Sequence, residues 1–212
     1  MAAAGASRRG RPRAGEQARR RRAALEAALA ELLERGVAGI TMQAVATRAG
    51  SSKESLYAWF GHRQGLLAAL IEWQAEQVNA AVATALDRSA DPRDTLTAIA
   101  RNLLMLLVGD VSVALNRAAM TSPELAELLL RHGRYTTGPL VAEFLGHLAD
   151  EGVLRVDDPE EAFQFFYGLV VRDLQIRVLL GERPPGEEDI RVQARIAVDR
   201  FLALAGADGF AR

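Results

Sequence analysis

Apolar residues recur along this chain at spacings of three and four and almost nowhere in strict alternation. That is the period of helices burying one stripe. Leu25, Leu29 and Leu32 set such a stripe on a segment over 16–35, which stops at Gly36, a residue suited to a helix C-terminus. Thr41 is a good N-cap for a short helix over 42–48, on which Val45 and Ala46 face the core. Ala49, Gly50 and Ser51 make a small-residue turn: Gly50 supplies the positive φ, and Ala49 lets two helices approach closely. Ser52 then caps a second short helix, anchored by Leu56 and Phe60 four residues apart. Lys53, Ser55 and Tyr57 are left facing outward.

Beyond it the pattern predicts a long helix over 64–88 with Trp73, Val78 and Val82 on one buried face. Asp91-Pro92 reads as N-cap and first-turn proline of a helix to about 108. A short helix over 113–120 ends before Ser122-Pro123, which caps the next, and Tyr135 to Pro139 should break or kink that one before it resumes over 140–150. Asp158-Pro159-Glu160-Glu161 opens another, with Glu161 placed to complete a capping box, and it should run to Gly181. Pro184-Pro185-Gly186 separates it from a last helix over 187–205. About nine helices and no strand make the expected fold all-α. Three parts are expected: a flexible basic arm over 1–15, a three-helix helix-turn-helix domain over 16–65, and a larger helical domain over 66–212.

Two short helices joined by a tight glycine turn form the unit that lays its second helix in the major groove of DNA. The bland alternative is a small bundle whose turn carries no function. Charge favours DNA. Residues 1–65 carry 12 Lys or Arg against 5 Asp or Glu, whereas 66–212 carry 14 against 22. A basic head on an acidic body suits a nucleic-acid reader with a separate regulatory part. Lys53 is the only lysine. Ahead of the helices, Arg8, Arg9, Arg11 and Arg13 surround a Gly-Arg-Pro-Arg core resembling the minor-groove element called an AT-hook. The same arginines equally suit a tail that attracts phosphates without specificity. A twin-arginine export signal is excluded, because charged helix rather than an apolar segment follows.

The run T-M-Q-A-V-A-x-x-A-G-x-S-K-x-S-L-Y-x-W-F from Thr41, followed by R-x-x-L-L from Arg63, resembles the DNA-binding domain of the tetracycline-repressor (TetR/AcrR) family. The match extends over 16–70, about a quarter of the chain. The resemblance implies an all-helical homodimeric regulator, usually a repressor, released from a palindromic operator by a small molecule. It implies that Thr41, Ser52, Tyr57 and Arg63 hold phosphates while Lys53 and its recognition-helix neighbours Glu54 and Ser55 approach bases, with Ser51 of the turn also at the DNA. Arg63 stands where Lys is commoner, which keeps the charge. Glu54 replaces a common Gly, and its carboxylate is able to accept from cytosine N4. Ser51 replaces a common Val, removing an apolar contact.

The last two long helices are apolar on several sides. Phe163, Phe166, Leu169, Val170, Leu174 and Val178 cover one side, while Phe165, Val171, Ile176 and Leu180 occupy others. Ile190, Ala194, Ala197, Phe201 and Leu204 form a stripe on the final helix, with Val192, Ile196 and Val198 beyond it. Helices apolar on more than one side need more than one partner. An intrachain core surrounding them would supply those partners too; the family resemblance implies instead a homodimer through an intermolecular four-helix bundle. Arg172 and Asp173, charged within this apolar stretch, are expected to find opposite charges across that surface. An apolar effector would sit among the central helices, against Met105, Asn116, Met120, Tyr135, Phe144, Phe166 and Tyr167, although each of these also suits a core. No catalytic grouping, metal site or cofactor is expected. His62, His132 and His147 are scattered, and the Glu-x-x-His pairs of a di-iron bundle are missing. The absence of cysteine suits a cytoplasmic protein, and no apolar run is long enough to span a membrane.

Overall fold

The computed structural model describes residues 14–88 and 91–207. The chain divides into two compact units, Met1–Leu66 and Leu67–Arg212. In the first, α1 (Ala14–Gly39), α2 (Met42–Arg48) and α3 (Lys53–Phe60) pack on one another. Ala24, Leu25, Ala28 and Leu32 of α1 are buried, as are Ile40, Met42, Val45, Ala46, Leu56 and Phe60, while Leu29 is only half-buried. Gly36 does not end α1 outright. It takes φ 67 and ψ −173, and a last turn to Gly39 follows the kink. A side chain at that φ would be strained, which is why glycine stands there.

Helix α4 (Arg63–Arg88) runs from the first unit into the second, where α5 (Pro92–Val108), α6 (Asp110–Ala119), α7 (Pro123–Leu129), α8 (Tyr135–Asp150), α9 (Pro159–Val171), α10 (Leu174–Leu179) and α11 (Glu187–Ala205) follow. Proline in the first turn opens α5, α7 and α9, each behind a side-chain cap. Asp91 Oδ1 accepts from the Arg93 amide at 2.7 Å, and Asp158 Oδ1 takes the Glu160 and Glu161 amides at 2.9 and 3.4 Å. The core gathers where α5, α9 and α11 meet, around Leu96, Leu104, Phe166, Val198 and Phe201. The segment after α8 closes on the end of α11, with Arg155 N donating to Ala205 O at 2.7 Å.

Two helix ends differ from the sequence pattern. The break expected at Tyr135 to Pro139 comes one turn earlier, as a π-helical turn at Leu130–Arg134, and α8 then runs through Pro139. Proline has no N–H for the carbonyl four residues back. In the wider turn ahead of it, Thr136 Oγ1 donates to the Arg131 carbonyl at 2.8 Å. The helix expected to reach Gly181 stops at Val171. Arg172 adopts φ 51 and ψ −126 before α10 begins.

Candidate nucleic-acid interface

Local chemistry builds the two-helix unit. Thr41 is extended, and its Oγ1 accepts from the Ala44 amide at 3.0 Å, starting α2. After Ala49 the chain turns on Gly50 at φ 59, and the Ser51 amide closes the turn on Ala46 O at 3.0 Å. Ser52 Oγ then accepts from the Ser55 amide at 3.2 Å and shares a hydrogen bond with Ser55 Oγ at 3.1 Å. Beneath α3, Leu56 and Phe60 are buried, with Trp59 edge-on to Phe60 and the Arg21 guanidinium of α1 over the Phe60 ring.

The buried stripe leaves Ser52, Lys53, Glu54 and Tyr57 exposed at the start of α3. Ser51 and Ser55 are half-buried, so Ser55 serves the cap more than the outward face read from its spacing. Lys53 Nζ lies 5.9 Å from the Tyr57 ring centre, the range of a cation–π contact. The Glu54 carboxyl is held below the ordinary carboxylate range by its own backbone amide and then by the Ser52 hydroxyl, with a smaller pull from Lys53. It is therefore ionised at neutral pH and drawn towards the cap. The free amides at the N-terminal end of a helix add a positive field at this edge.

Arg63 is half-buried. Its Nε donates to Ile40 O and its Nη2 to Val37 O, both at 2.6 Å. It fastens the first turn of α4 to the approach to α2, and Nη1 alone is left without a bond among the described residues. Arg8, Arg9, Arg11 and Arg13 lie outside the described residues.

A polar clamp escaped the sequence reading. Glu31 of α1 is 3% exposed, and its Oε1 accepts from Arg48 Nε at 2.8 Å. Arg48 Nη1 donates to Glu34 Oε1 at 2.7 Å, and its other terminal nitrogen meets Glu34 Oε2. Hydrogen bonding to Arg48 holds Glu34 below the carboxylate range, and Glu34 in turn holds Arg48 firmly protonated. The signal was present: Glu31 falls on the stripe of Ala24, Ala28 and Leu32, where an acid needs a partner.

Of the residues expected around an effector, Phe144, Phe166 and Tyr167 share the core cluster, while Met105, Met120 and Tyr135 are exposed. Phe166 is fully buried and packs edge-on against Phe201, so it belongs to the core. Asn116 spends its amide on Ser112, at 2.8 Å to the carbonyl and 3.3 Å to the hydroxyl. Met120 and Tyr135 are 63% and 66% exposed, and Met105 is exposed as well. Phe144 and Tyr167 are half-buried against the core, where burial raises the Tyr167 phenol. A polar cleft of about 250 Å³ lies instead against Glu72, Ala75, Glu76, Asn79, His132 and Thr136. The apolar sides of the last helices divide into buried and exposed sets, with Leu169 and Val192 between them. Phe163, Phe166, Val170, Leu174 and Val178 are buried, whereas Phe165, Ile176, Leu180, Ile196 and Leu204 are exposed. Val171 and Val198 are buried although the spacing places them on the outer sides, and Leu204 is exposed although it shares the stripe of Ile190, Ala194, Ala197 and Phe201.

Comparison with known proteins fits this geometry. Residues 24–70 match the family described as bacterial regulatory proteins, tetR family. Residues 94–206 match the C-terminal domain described as that of AefR-like transcriptional repressors. A TetR transcriptional regulator from Agrobacterium tumefaciens is 39% identical, with 90% of this chain and 96% of that one covered at a TM-score of 0.74. The flavonoid-responsive regulator FrrA is 30% identical, covers 91% of this chain and 100% of its own, and has a TM-score of 0.68. A TetR-family protein from Mesorhizobium loti shares the fold at a TM-score of 0.81, with 23% identity over 90% of this chain and 98% of its own. No curated protein matches. With a DNA-binding domain over its first unit and the matching helical domain after it, the chain belongs to the TetR family of bacterial transcriptional regulators.

Proposed function

We propose that this regulator is a cytoplasmic homodimeric repressor that leaves a palindromic operator when a small molecule binds its second unit. One observation carries the DNA half of that reading: α3 is anchored by Leu56 and Phe60 and capped by Ser52, which leaves its first turn exposed and polar. In this reading Thr41, Ser52, Tyr57 and the free edge of Arg63 hold phosphates. Lys53, with Ser51, Glu54 and Ser55, meets base edges. Glu54 must leave the cap to accept from a cytosine. Arg8, Arg9, Arg11 and Arg13 add phosphate or minor-groove contacts.

The exposed Phe165, Ile176, Leu180, Ile196 and Leu204 support dimerisation through α9, α10 and α11. Dimeric readers place two recognition helices about 34–36 Å apart, one helical turn of DNA. An effector that moves α4 changes that separation, and an affinity difference of about 1.4 kcal/mol between the two states shifts the equilibrium tenfold. FrrA is described as flavonoid-responsive, which favours an effector here too. Phe144 and Tyr167 are the apolar wall we assign to it. The dispersal of the other candidates favours a second reading, a regulator without a small-molecule effector.

The test is a fluorescence-anisotropy titration against DNA flanking the gene, with excess random competitor. Binding that survives competitor supports the reading, and a chain lacking residues 1–15 should then show a shallower salt dependence. Binding that competitor abolishes on every fragment of a genome-wide selection would refute a sequence-specific regulator. Release by flavonoids or other planar apolar compounds separates the inducible form from the second reading.

A further inference from the structure

Among the described residues Glu31 is the one ionisable side chain that is buried. It interrupts the stripe of Ala24, Ala28 and Leu32, where a methionine would fill the space and continue the apolar face. Its Oε1 accepts from Arg48 Nε at 2.8 Å. Its Oε2 is shut away from solvent, makes no hydrogen bond among the described residues, and has Arg35 Nη1 at 3.2 Å. An acid enclosed with one oxygen unbonded is a poor source of stability, because desolvation offsets the attraction. What the pair supplies instead is direction. Apolar stripes attract at many rotations, whereas a charge-assisted hydrogen bond holds one geometry.

That direction is set next to the exposed first turn of α3. Arg48 closes α2 and is gripped twice, by Glu31 and by Glu34 three residues further along α1, which takes Nη1 at 2.7 Å and Nη2 as well. All three guanidinium nitrogens therefore meet acids of α1, and the charge is neutralised inside the unit rather than offered to a phosphate. The turn that follows is itself closed, with Ala49 N donating to Val45 O at 2.9 Å and Ser51 N to Ala46 O at 3.0 Å. Ser52 then caps α3. A change in the seat of α2 on α1 passes through this turn to Lys53 and Glu54. Leu56 and Phe60 lie further along α3 and hold it by apolar burial, which leaves its angle open.

We infer that Glu31 and Arg48 are positioning residues for DNA recognition: without touching DNA, they set the angle at which α3 presents Lys53, Glu54 and Tyr57, and so determine specificity. The inference rests on the reading of α3 as the recognition helix. An apolar pair of similar length would hold the three helices together as well, but would let α3 settle at more than one angle.

The experiment compares the full chain carrying both Glu31→Met and Arg48→Met with the wild type. Each is titrated by anisotropy against the fragment that resists random competitor and against random DNA, beside its urea midpoint. Trp59 and Trp73, on α3 and α4, report that midpoint by fluorescence. The double variant should keep or raise the midpoint and lose at least about tenfold in affinity for the specific fragment. Its salt slope on random DNA should be unchanged, since no phosphate contact goes. Glu31→Gln keeps an acceptor for Arg48 Nε and should retain most of the discrimination. Undiminished specific affinity in the double variant overturns the inference, and so do equal losses in the double variant and Glu31→Gln. A lowered midpoint overturns it too, because the pair is then a stabilising contact, as does a shallower salt slope, which would make Arg48 a phosphate contact. A wild-type chain without competitor-resistant binding overturns the reading of α3 instead.

Discussion

The outer faces of α3 and of the α9 to α11 segment begin from the same rule and end with opposite surfaces. Each helix buries one stripe: Leu56 and Phe60 in α3, Phe166 and Val170 in α9, Ala197, Val198 and Phe201 in α11. What remains outside α3 is Ser52, Lys53, Glu54 and Tyr57. The later helices leave Phe165, Ile176, Leu180 and Leu204 outside, among charged residues such as Arg191 and Asp199, with Leu180 82% exposed. Polar groups at a helix N-terminus suit phosphates and base edges, whereas an apolar leftover suits another protein surface. The buried stripe sets the fold in both regions, and the residue types off the stripe set what the region meets.

The largest effect that would sharpen this contrast comes from beneath α3. Phe60→Ala removes the ring under the Arg21 guanidinium and beside Trp59. It should cost the first unit about 3–5 kcal/mol and abolish DNA binding, while the second unit keeps its far-ultraviolet helical signal. Intact operator binding by the variant would mean that α3 is not positioned from below as argued.

How much of this was readable in advance differs between the regions for a physical reason. Gly50, Ser52 and Asp91-Pro92 act on their own neighbours, so their turns and caps follow from sequence alone. The Glu31–Arg48 contact joins α1 to α2 across 17 residues, and no local pattern names that partner. Arg172 looks like one more position of an apolar helix until its flanks are pinned by α11 and the core. Phe166 illustrates the same limit. Its spacing equally suits a pocket wall or a core, and only Phe201, on a helix far along the chain, decides for the core.

Next in size, Ile176→Glu sets an unpaired carboxylate on the apolar face. It should weaken the proposed dimer by at least about 2 kcal/mol and leave the urea midpoint of the dissociated chain nearly unmoved, since the residue is half exposed. Lys53→Ala is its counterpart on the polar face. It should lower affinity for the specific site by about 1–2 kcal/mol, spare binding to random DNA, and leave the dimer intact. The two variants together form a cross-check by sedimentation and anisotropy. If Ile176→Glu left the dimer alone, or Lys53→Ala weakened specific and random DNA equally, the division of labour between the surfaces would be wrong.

The smallest effect compares two exposed ion pairs under acid. Glu34 and Glu188 both have carboxyls held below the ordinary carboxylate range, chiefly by hydrogen bonds from Arg48 and Arg191 respectively. A carboxyl lowered by folding adds stability above its unfolded pKa, and loses that contribution as pH falls through the lowered folded value. The pairs differ in reach. Glu188 and Arg191 are three apart on α11, so residual helix in the unfolded chain keeps part of their contact. Glu34 and Arg48 join two helices across 14 residues, and unfolding removes the contact outright. Glu34→Gln should therefore flatten the decline in urea midpoint between neutral pH and about pH 3 more than Glu188→Gln does. Equal slopes in the two variants would show that the Arg48 clamp on α1 adds no more than an ordinary surface pair, and that the first unit relies on its buried stripe alone.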